Sequence, residues 1–323
     1  MKKAAWAAVL LGVSATAQEV PVILQVDTEN SVVYGNEYIH PSQLAQVPDI
    51  PNVAGRFPVN FGISVGIADV TAVNGSPARG VLITEAQQLR LSPTASPGMA
   101  ISDVTRNGSV RLSLELLHPD GRSVGSIFAA GLAAGGSPLP GGGVFAITGG
   151  LGAFQGVTGI IRAAEVQMFP RNTSQVEDPS RRRINGGGRL RYPLQITSRF
   201  QPEVLTGANG PAVFHGDFNP VTAASPARAG ETLIVYAKGL GPTTASLNPG
   251  DPFPSEPLAI ATSPVEVLVN GKASAAINQV GVPGTTDTYR VDFRVPDDTP
   301  GGTASVQLRA AWVPGSAVSM PVR

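Results

Sequence analysis

Ser109-Val110-Arg111-Leu112-Ser113-Leu114-Glu115-Leu116 alternates polar and apolar side chains along its whole length. Val110, Leu112, Leu114 and Leu116 fall on one face, and Arg111, Ser113 and Glu115 on the other. A period of two is that of a strand with one buried face. His118-Pro119-Asp120-Gly121-Arg122 follows as a hairpin turn, because Asp-Gly tolerates the positive φ that such turns need. Residues 123–132 are its return strand. Upstream, 80–91 reads as a strand, with Val81, Ile83, Ala86 and Leu89 among Thr84, Glu85, Gln87 and Gln88. Residues 57–70 are apolar and β-branched, with Gly62 and Gly66 marking bends of a curling sheet. Residues 18–56 hold one or two short strands and a long entry loop. Downstream come a strand at 144–148, a long one at 160–169, a polar loop at 170–188 and a closing strand at 189–198. These are about seven or eight strands at hairpin spacing with no helical period, the pattern of an all-β antiparallel barrel or sandwich.

Residues 199–212 carry no period and read as a linker. Beyond them, 231–238 alternates as a strand, and 265–269 runs into Asn270-Gly271, a strong two-residue hairpin signal. Tyr289-Arg290-Val291-Asp292-Phe293-Arg294-Val295 alternates without a fault, and 303–311 and 317–322 supply two more strands. About seven strands in some 110 residues is the size of an immunoglobulin-like sandwich.

Composition agrees. The 323 residues include 38 Gly and 29 Pro, well above ordinary usage, so turns are frequent and long helices few. Hydrophobic residues at 42 % exclude a disordered chain. The formal net charge is zero, which argues against bulk nucleic-acid binding. With no Cys and 3 His, thiol catalysis, disulfides and the usual zinc clusters are excluded. Lys2 and Lys3, the apolar run 4–13 and Ala15-Thr16-Ala17 read as a signal peptide over 1–17, too short to span a membrane. The mature chain is then expected in the periplasm, the cell envelope or the extracellular space, with no membrane span.

Phe145-Ala146-Ile147-Thr148-Gly149-Gly150-Leu151-Gly152-Ala153-Phe154-Gln155-Gly156-Val157-Thr158-Gly159 resembles the allene oxide cyclase and dirigent protein superfamily. Within the barrel domain at 18–198 the resemblance covers about 57–198. It implies an eight-stranded antiparallel barrel whose apolar interior holds a small hydrophobic molecule, with Phe154 plugging inward. It also implies ligand contacts at Phe145, Phe154, Gln155 and Thr158. Members bind such a molecule, or steer its cyclisation or coupling by confinement, a cofactor-free, metal-free, isomerase-like activity. This chain departs from the enzymes at two places. Gln155 stands where plant cyclases have an acid, and Thr158 where dirigent proteins have an Arg.

Pro226-Ala227-Arg228-Ala229-Gly230-Glu231-Thr232-Leu233 and Tyr236-Ala237-Lys238-Gly239-Leu240-Gly241-Pro242 resemble an Ig-like domain found at the C-terminal end of many bacterial secreted proteins. Residues 289–296 and Pro300-Gly301-Gly302 fit its later strands, and the resemblance spans about 213–323. It implies a spacer or attachment module.

No complete catalytic constellation is legible. Glu85 and Glu165 are the carboxylates that barrel alternation can turn inward, where desolvation would suit them to general acid or base work. The competing reading puts both on the outer wall, and the leucine face of 109–116 puts Glu115 there too. His215-Gly216-Asp217 reads as a loop pair of no catalytic meaning, with no Gly-x-Ser-x-Gly elbow near it, His40 and His118 as turn residues beside Pro, and Asp297-Asp298 as a solvated turn lacking the ligands of a calcium cage. Arg181-Arg182-Arg183 is a local basic patch, offset by Glu177 and Asp178, that reads as a solvated loop rather than a dock for anionic polymer. The expectation is an exported barrel that binds a small apolar molecule. The alternative is a non-catalytic envelope scaffold whose barrel is packed solid and whose surfaces meet a cell-surface or extracellular partner.

Overall fold

The computed structural model describes residues 21–35, 61–89, 106–135, 143–174, 177–208, 210–244, 247–248 and 250–323. The expected signal peptide, His40 and the start of the 57–70 strand lie outside them.

The first unit is built from β1 (Val22–Gly35), β2 (Phe61–Val73), β3 (Ser76–Pro77), β4 (Arg79–Leu89), β5 (Arg106–Leu117) and β6 (Ser123–Gly135). It continues with β7 (Phe145–Gly152), β8 (Thr158–Ile161), β9 (Glu165–Met168), β10 (Arg171–Ser174) and β11 (Gly188–Thr197). Strands β1, β11, β8, β7, β6, β5, β4 and β2 follow one another by hydrogen bonding, and β2 pairs back onto β1. The result is a closed eight-stranded antiparallel barrel, which leaves no free sheet edge among those strands.

The alternation of β5 sets the inside. Leu112, Leu114 and Leu116 are buried, with Arg111, Ser113 and Glu115 exposed between them. Residues directly opposite in antiparallel strands share a face. Leu112 is opposite Thr84 and Ala129, and Ala129 is opposite Ile147, so all of these point inward. The expected long strand at 160–169 is instead two, β8 and β9, which pair with separate stretches of β11 on either side of Pro193. Pro193 has no N–H to offer the ladder, and there Arg162 donates its backbone N–H to the Pro193 carbonyl at 3.0 Å.

The expected loop at 170–188 is also more ordered than its composition suggests. β10 pairs in parallel with β1 outside the barrel, and one helical turn follows at Arg182–Asn185. Register shifts at 28–32 mark a bulge in β1, beyond which Val33 lies opposite the lumen-facing Gly66. Val32 and Tyr34 therefore point outward, where this appendage buries them.

The second unit comprises β12 (Glu203–Val204), β13 (Thr206–Gly207), β14 (Gly210–Pro211), β15 (Val213–His215) and β16 (Thr232–Lys238). β17 (Val265–Val269), β18 (Lys272–Gly281), β19 (Tyr289–Arg294), β20 (Gly302–Ala310) and β21 (Val313–Val322) complete it. The sheet order is β12-β16-β19-β18-β17-β20-β21, with β15 also on β16. β18 pairs with β17 through 272–275 and with β19 through 276–281, so it passes from one half of the sheet to the other. Both halves feed one core, Leu233, Val235, Val291 and Phe293 meeting Val267, Val306, Leu308 and Met320. The expected linker is partly absorbed into this unit, because β12 pairs with β16 and Val204 is buried in its core. Asn270-Gly271 forms the expected two-residue turn, with φ of 51° and 78°.

The two units meet through the turn between β20 and β21. Ala311, Trp312 and Val313 belong to the barrel's hydrophobic cluster rather than to that of their own sheet, and Trp312 is only 4 % exposed.

Candidate functional site

The two ends of the barrel interior differ. Near the second unit it is filled. Phe154 is fully buried, tucked under β6 and β7 by the Gly-rich turn after β7. Its carbonyl accepts from Val157 N–H at 3.0 Å, and its own N–H donates to the Leu151 carbonyl. A β-carbon on Gly150 would meet the carbonyl oxygens of Phe154 and Ser126, so this position admits only glycine without movement of the backbone. Leu116, Ile127 and Trp312 lie in the same packed cluster.

Away from that plug, the inward positions become small. Ser64 and Gly66 on β2, Thr84 and Ala86 on β4, and Gly131 on β6 all face the lumen by register, yet each keeps a solvent-reachable surface. Thr84 Oγ1 lies over Gly66, in the space a β-carbon there would take. Phe145 lies opposite Gly131, and its ring packs over that glycine from the neighbouring strand. Tyr192 joins this interior from β11, two residues from Leu194 on the same face, and packs against the barrel cluster. Burial alone raises its phenol to about 12, so the hydroxyl stays protonated and serves as a hydrogen-bond donor. The lumen thus offers an apolar wall, a threonine and serine hydroxyl, and one neutral phenol. In the sequence Tyr192-Pro193 looks like a strand end, although Tyr192 shares its parity with Leu194 and Ile196.

The residues singled out from the sequence fall in different places. Phe145 and Phe154 are inside, the first on the lumen wall and the second in the plug. Gln155 and Thr158 are exposed on the outside of the turn and of β8. Glu85 lies opposite Val65 and Arg111 on the outer face of the barrel, and Glu165 is exposed on β9. None of these four polar residues is brought to Phe145.

The basic patch is not a solvated loop. Arg182 donates to Asp69 Oδ1 at 2.5 Å, and Arg183 donates to both Asp69 oxygens at 2.8 and 2.9 Å. Burial would push the Asp69 carboxyl up, but the hydrogen bonds from Arg183, Arg182 and Asn30 outweigh it and hold it at about 2. Arg171 donates to both oxygens of Glu177, at 3.0 and 2.6 Å. The arginines therefore clamp the appendage to the barrel wall, because a carboxylate this buried requires charged donors. Asp297 and Asp298 are each engaged by a cation, Arg294 and Lys272, both at 2.7 Å. Among the described residues no group of three or more His, Asp or Glu is placed to hold a metal ion.

A second hollow of about 840 Å³ lies between the units, with His118, Arg122, Ser263, Ile277, Gln279 and Trp312 in its walls. His118 Nδ1 lies 3.0 Å from Asp120 Oδ1, and Arg122 Nε donates to Asp120 Oδ2 at 2.8 Å. These contacts stiffen the turn between β5 and β6. No family model, curated protein or solved structure matches the chain.

Proposed function

We propose that the protein is an exported receptacle for a small apolar molecule, held in the lumen of the barrel. The observation that carries this reading is the solvent-reachable lumen surface at Ser64, Gly66, Thr84, Ala86 and Gly131, above a plug made by Phe154 and Trp312. A partly solvent-reachable interior of small side chains with a few hydroxyls is the kind of surface on which a small-molecule site can form. The resemblance of the Gly-rich block to allene oxide cyclases and dirigent proteins points the same way. In that frame, confinement would steer a cyclisation or coupling without a cofactor, the lumen acting as an entropy trap. The second unit, a two-halved antiparallel sheet around one core, fits the Ig-like spacer or attachment role that its sequence resembles.

A second reading has its own observation. Leu112, Leu114, Leu116 and Ile127 all point into the barrel and are buried, as a solid scaffold would need. On that reading the chain is a non-catalytic envelope protein that works through its surfaces.

Native mass spectrometry of the mature protein purified from its own host separates the two. A retained apolar molecule supports the receptacle and gives its chemical class. An empty protein that also fails to bind N-phenyl-1-naphthylamine, a fluorescent apolar probe, leaves the scaffold.

A further inference from the structure

The spacing His215-Gly216-Asp217 suggests a pair that the structure does not form. Asp217 turns to Asn219, accepting from its backbone N–H at 3.1 Å and from its side-chain amide at 2.8 Å. His215, at the end of β15, turns to Glu231, the residue just before β16. Its Nδ1 lies 2.6 Å from Glu231 Oε1. Its Nε2 lies 3.2 Å from Ser225 Oγ and 3.1 Å from the Ser225 carbonyl oxygen. The outer two members are fixed by backbone contacts. Glu231 Oε2 accepts from Arg228 N–H at 2.8 Å, and Ser225 N–H donates to the Thr222 carbonyl at 3.1 Å.

The tautomer follows from these partners. A carboxylate on Nδ1 keeps the proton of the neutral ring on that nitrogen, which leaves a lone pair on Nε2. A carbonyl oxygen cannot donate to a lone pair, whereas the Ser225 hydroxyl can. In the neutral ring the serine is therefore the group hydrogen-bonded to the base, and the base is oriented by a carboxylate. That is the relation of nucleophile, base and orienting acid in acyl-transfer enzymes, which is recognised by geometry rather than by chain order.

We infer that Ser225, His215 and Glu231 form a nucleophilic acyl-transfer centre on the second unit, separate from the barrel, that takes small polar carboxylic esters. Ser225 is exposed, and the three side chains line one hollow of about 610 Å³ together with Asn219, Arg228 and Arg323. The polar character of that lining selects polar over fatty esters. Among the described residues the guanidinium groups of Arg228 and Arg323 have no ion pair, so they are the cations at hand for the charge developing on the ester carbonyl oxygen.

In the first step Ser225 Oγ bonds to the carbonyl carbon while its proton passes to His215 Nε2. The carbon–oxygen bond to the alcohol then breaks, and Nε2 gives that proton to the leaving oxygen. Water attacks the acyl-serine in the second step, again through Nε2, which returns a proton to Oγ as the free acid leaves. No oxidant or cofactor enters the balance.

The test uses the full chain with 4-nitrophenyl acetate and a fluorophosphonate probe. The expected result is a covalent phosphonyl adduct that peptide mapping places on Ser225, with ester turnover rising as pH is raised and His215 becomes neutral. Ser225→Ala removes the adduct and lowers turnover by about a hundredfold or more. Glu231→Gln lowers kcat and moves the pH profile, which loss of a purely structural contact would not do. Circular dichroism and melting curves check that each variant is folded. Should the Glu231 variant fail to fold, Ser225→Ala alone decides, because the exposed serine contributes nothing to the core. Absence of the adduct, or unchanged turnover in Ser225→Ala, overturns the proposal and leaves His215 as a charged clasp between Glu231 and the Ser225 carbonyl.

Discussion

Arg182 reaches across 113 positions of sequence to place its guanidinium 2.5 Å from Asp69 Oδ1, on the outer wall of the barrel. Both side chains are close to nine-tenths buried, at 10 % and 12 % exposed, and Arg183 completes the contact from the solvent side. Removing one member of a buried pair strands the other without its counter-charge, at a cost of about 3–5 kcal/mol. Asp69→Ala is therefore expected to lower barrel stability by that amount and to release the 171–187 appendage. Urea denaturation with limited proteolysis checks it. An appendage that resists proteolysis in the variant would show that Tyr34 and β10 packing hold it without the ion pair.

The same contact sets an acid limit. The Asp69 carboxyl is held at about 2 against an ordinary 3.8, so its contribution is complete above pH 3.8 and disappears as pH falls through 2. The size of this contribution is about 2 kcal/mol. Stability measured between pH 4.5 and 1.5 is expected to fall more steeply in the native chain than in Asp69→Asn. Equal slopes would contradict the assignment.

Trp312 ties the units together at a local cost. Ala311 and Trp312 form the two-residue turn between β20 and β21 with φ of 46° and 63°, a region that side-chain-bearing residues avoid. That conformation costs roughly 1 kcal/mol per residue, and burial of the indole in the barrel cluster offsets it by about 3 kcal/mol. Trp312→Ala keeps the strained turn and loses the burial. The expected outcome is a loss of about 3–5 kcal/mol, with one calorimetric transition splitting into two as the units unfold separately. A single, unshifted transition would mean that the indole does not couple them.

Adjacent residues on β4 test the lumen. Ala86 faces in and Glu85 faces out, so Ala86→Leu fills the accessible space while Glu85→Gln touches only the outer wall. Binding of N-phenyl-1-naphthylamine is expected to weaken at least tenfold in the first variant. The second should leave it unchanged, with stability altered by less than about 0.5 kcal/mol. Equal effects of both variants would place the probe outside the barrel.

These relationships also separate what the chain displays locally from what it does not. The period of Val110, Leu112, Leu114 and Leu116, the Asp120-Gly121 turn and the Asn270-Gly271 turn depend on neighbours in sequence, and all could be read directly. The break at Pro193 could have been read too, since a proline inside a paired strand interrupts its ladder. Asp69 with Arg182, Trp312 in the barrel cluster and Ser225 beside His215 depend on chain-distant pairing. No local pattern marks them, and Asp217 stands nearer in sequence to His215 than Glu231, its actual partner.

His215 gives the second unit a dependence on pH opposite in sense to that of Asp69. Burial of the ring opposes its charge, but the hydrogen bond to Glu231 and the Ser225 carbonyl outweigh this and raise its pKa above the ordinary 6.5. A raised histidine contributes fully below pH 6.5, and its contribution is lost as pH climbs through the folded-state value. The unfolding midpoint of the native chain is therefore expected to decline from pH 6 to pH 8.5. The charges facing the ring are Glu231 and Asp217, with Arg228 and Arg323 in the same hollow. His215→Gln retains a polar side chain of similar reach but cannot titrate, so its midpoint is expected to stay level. A native chain as flat as the variant would show that the imidazolium is not favoured by folding.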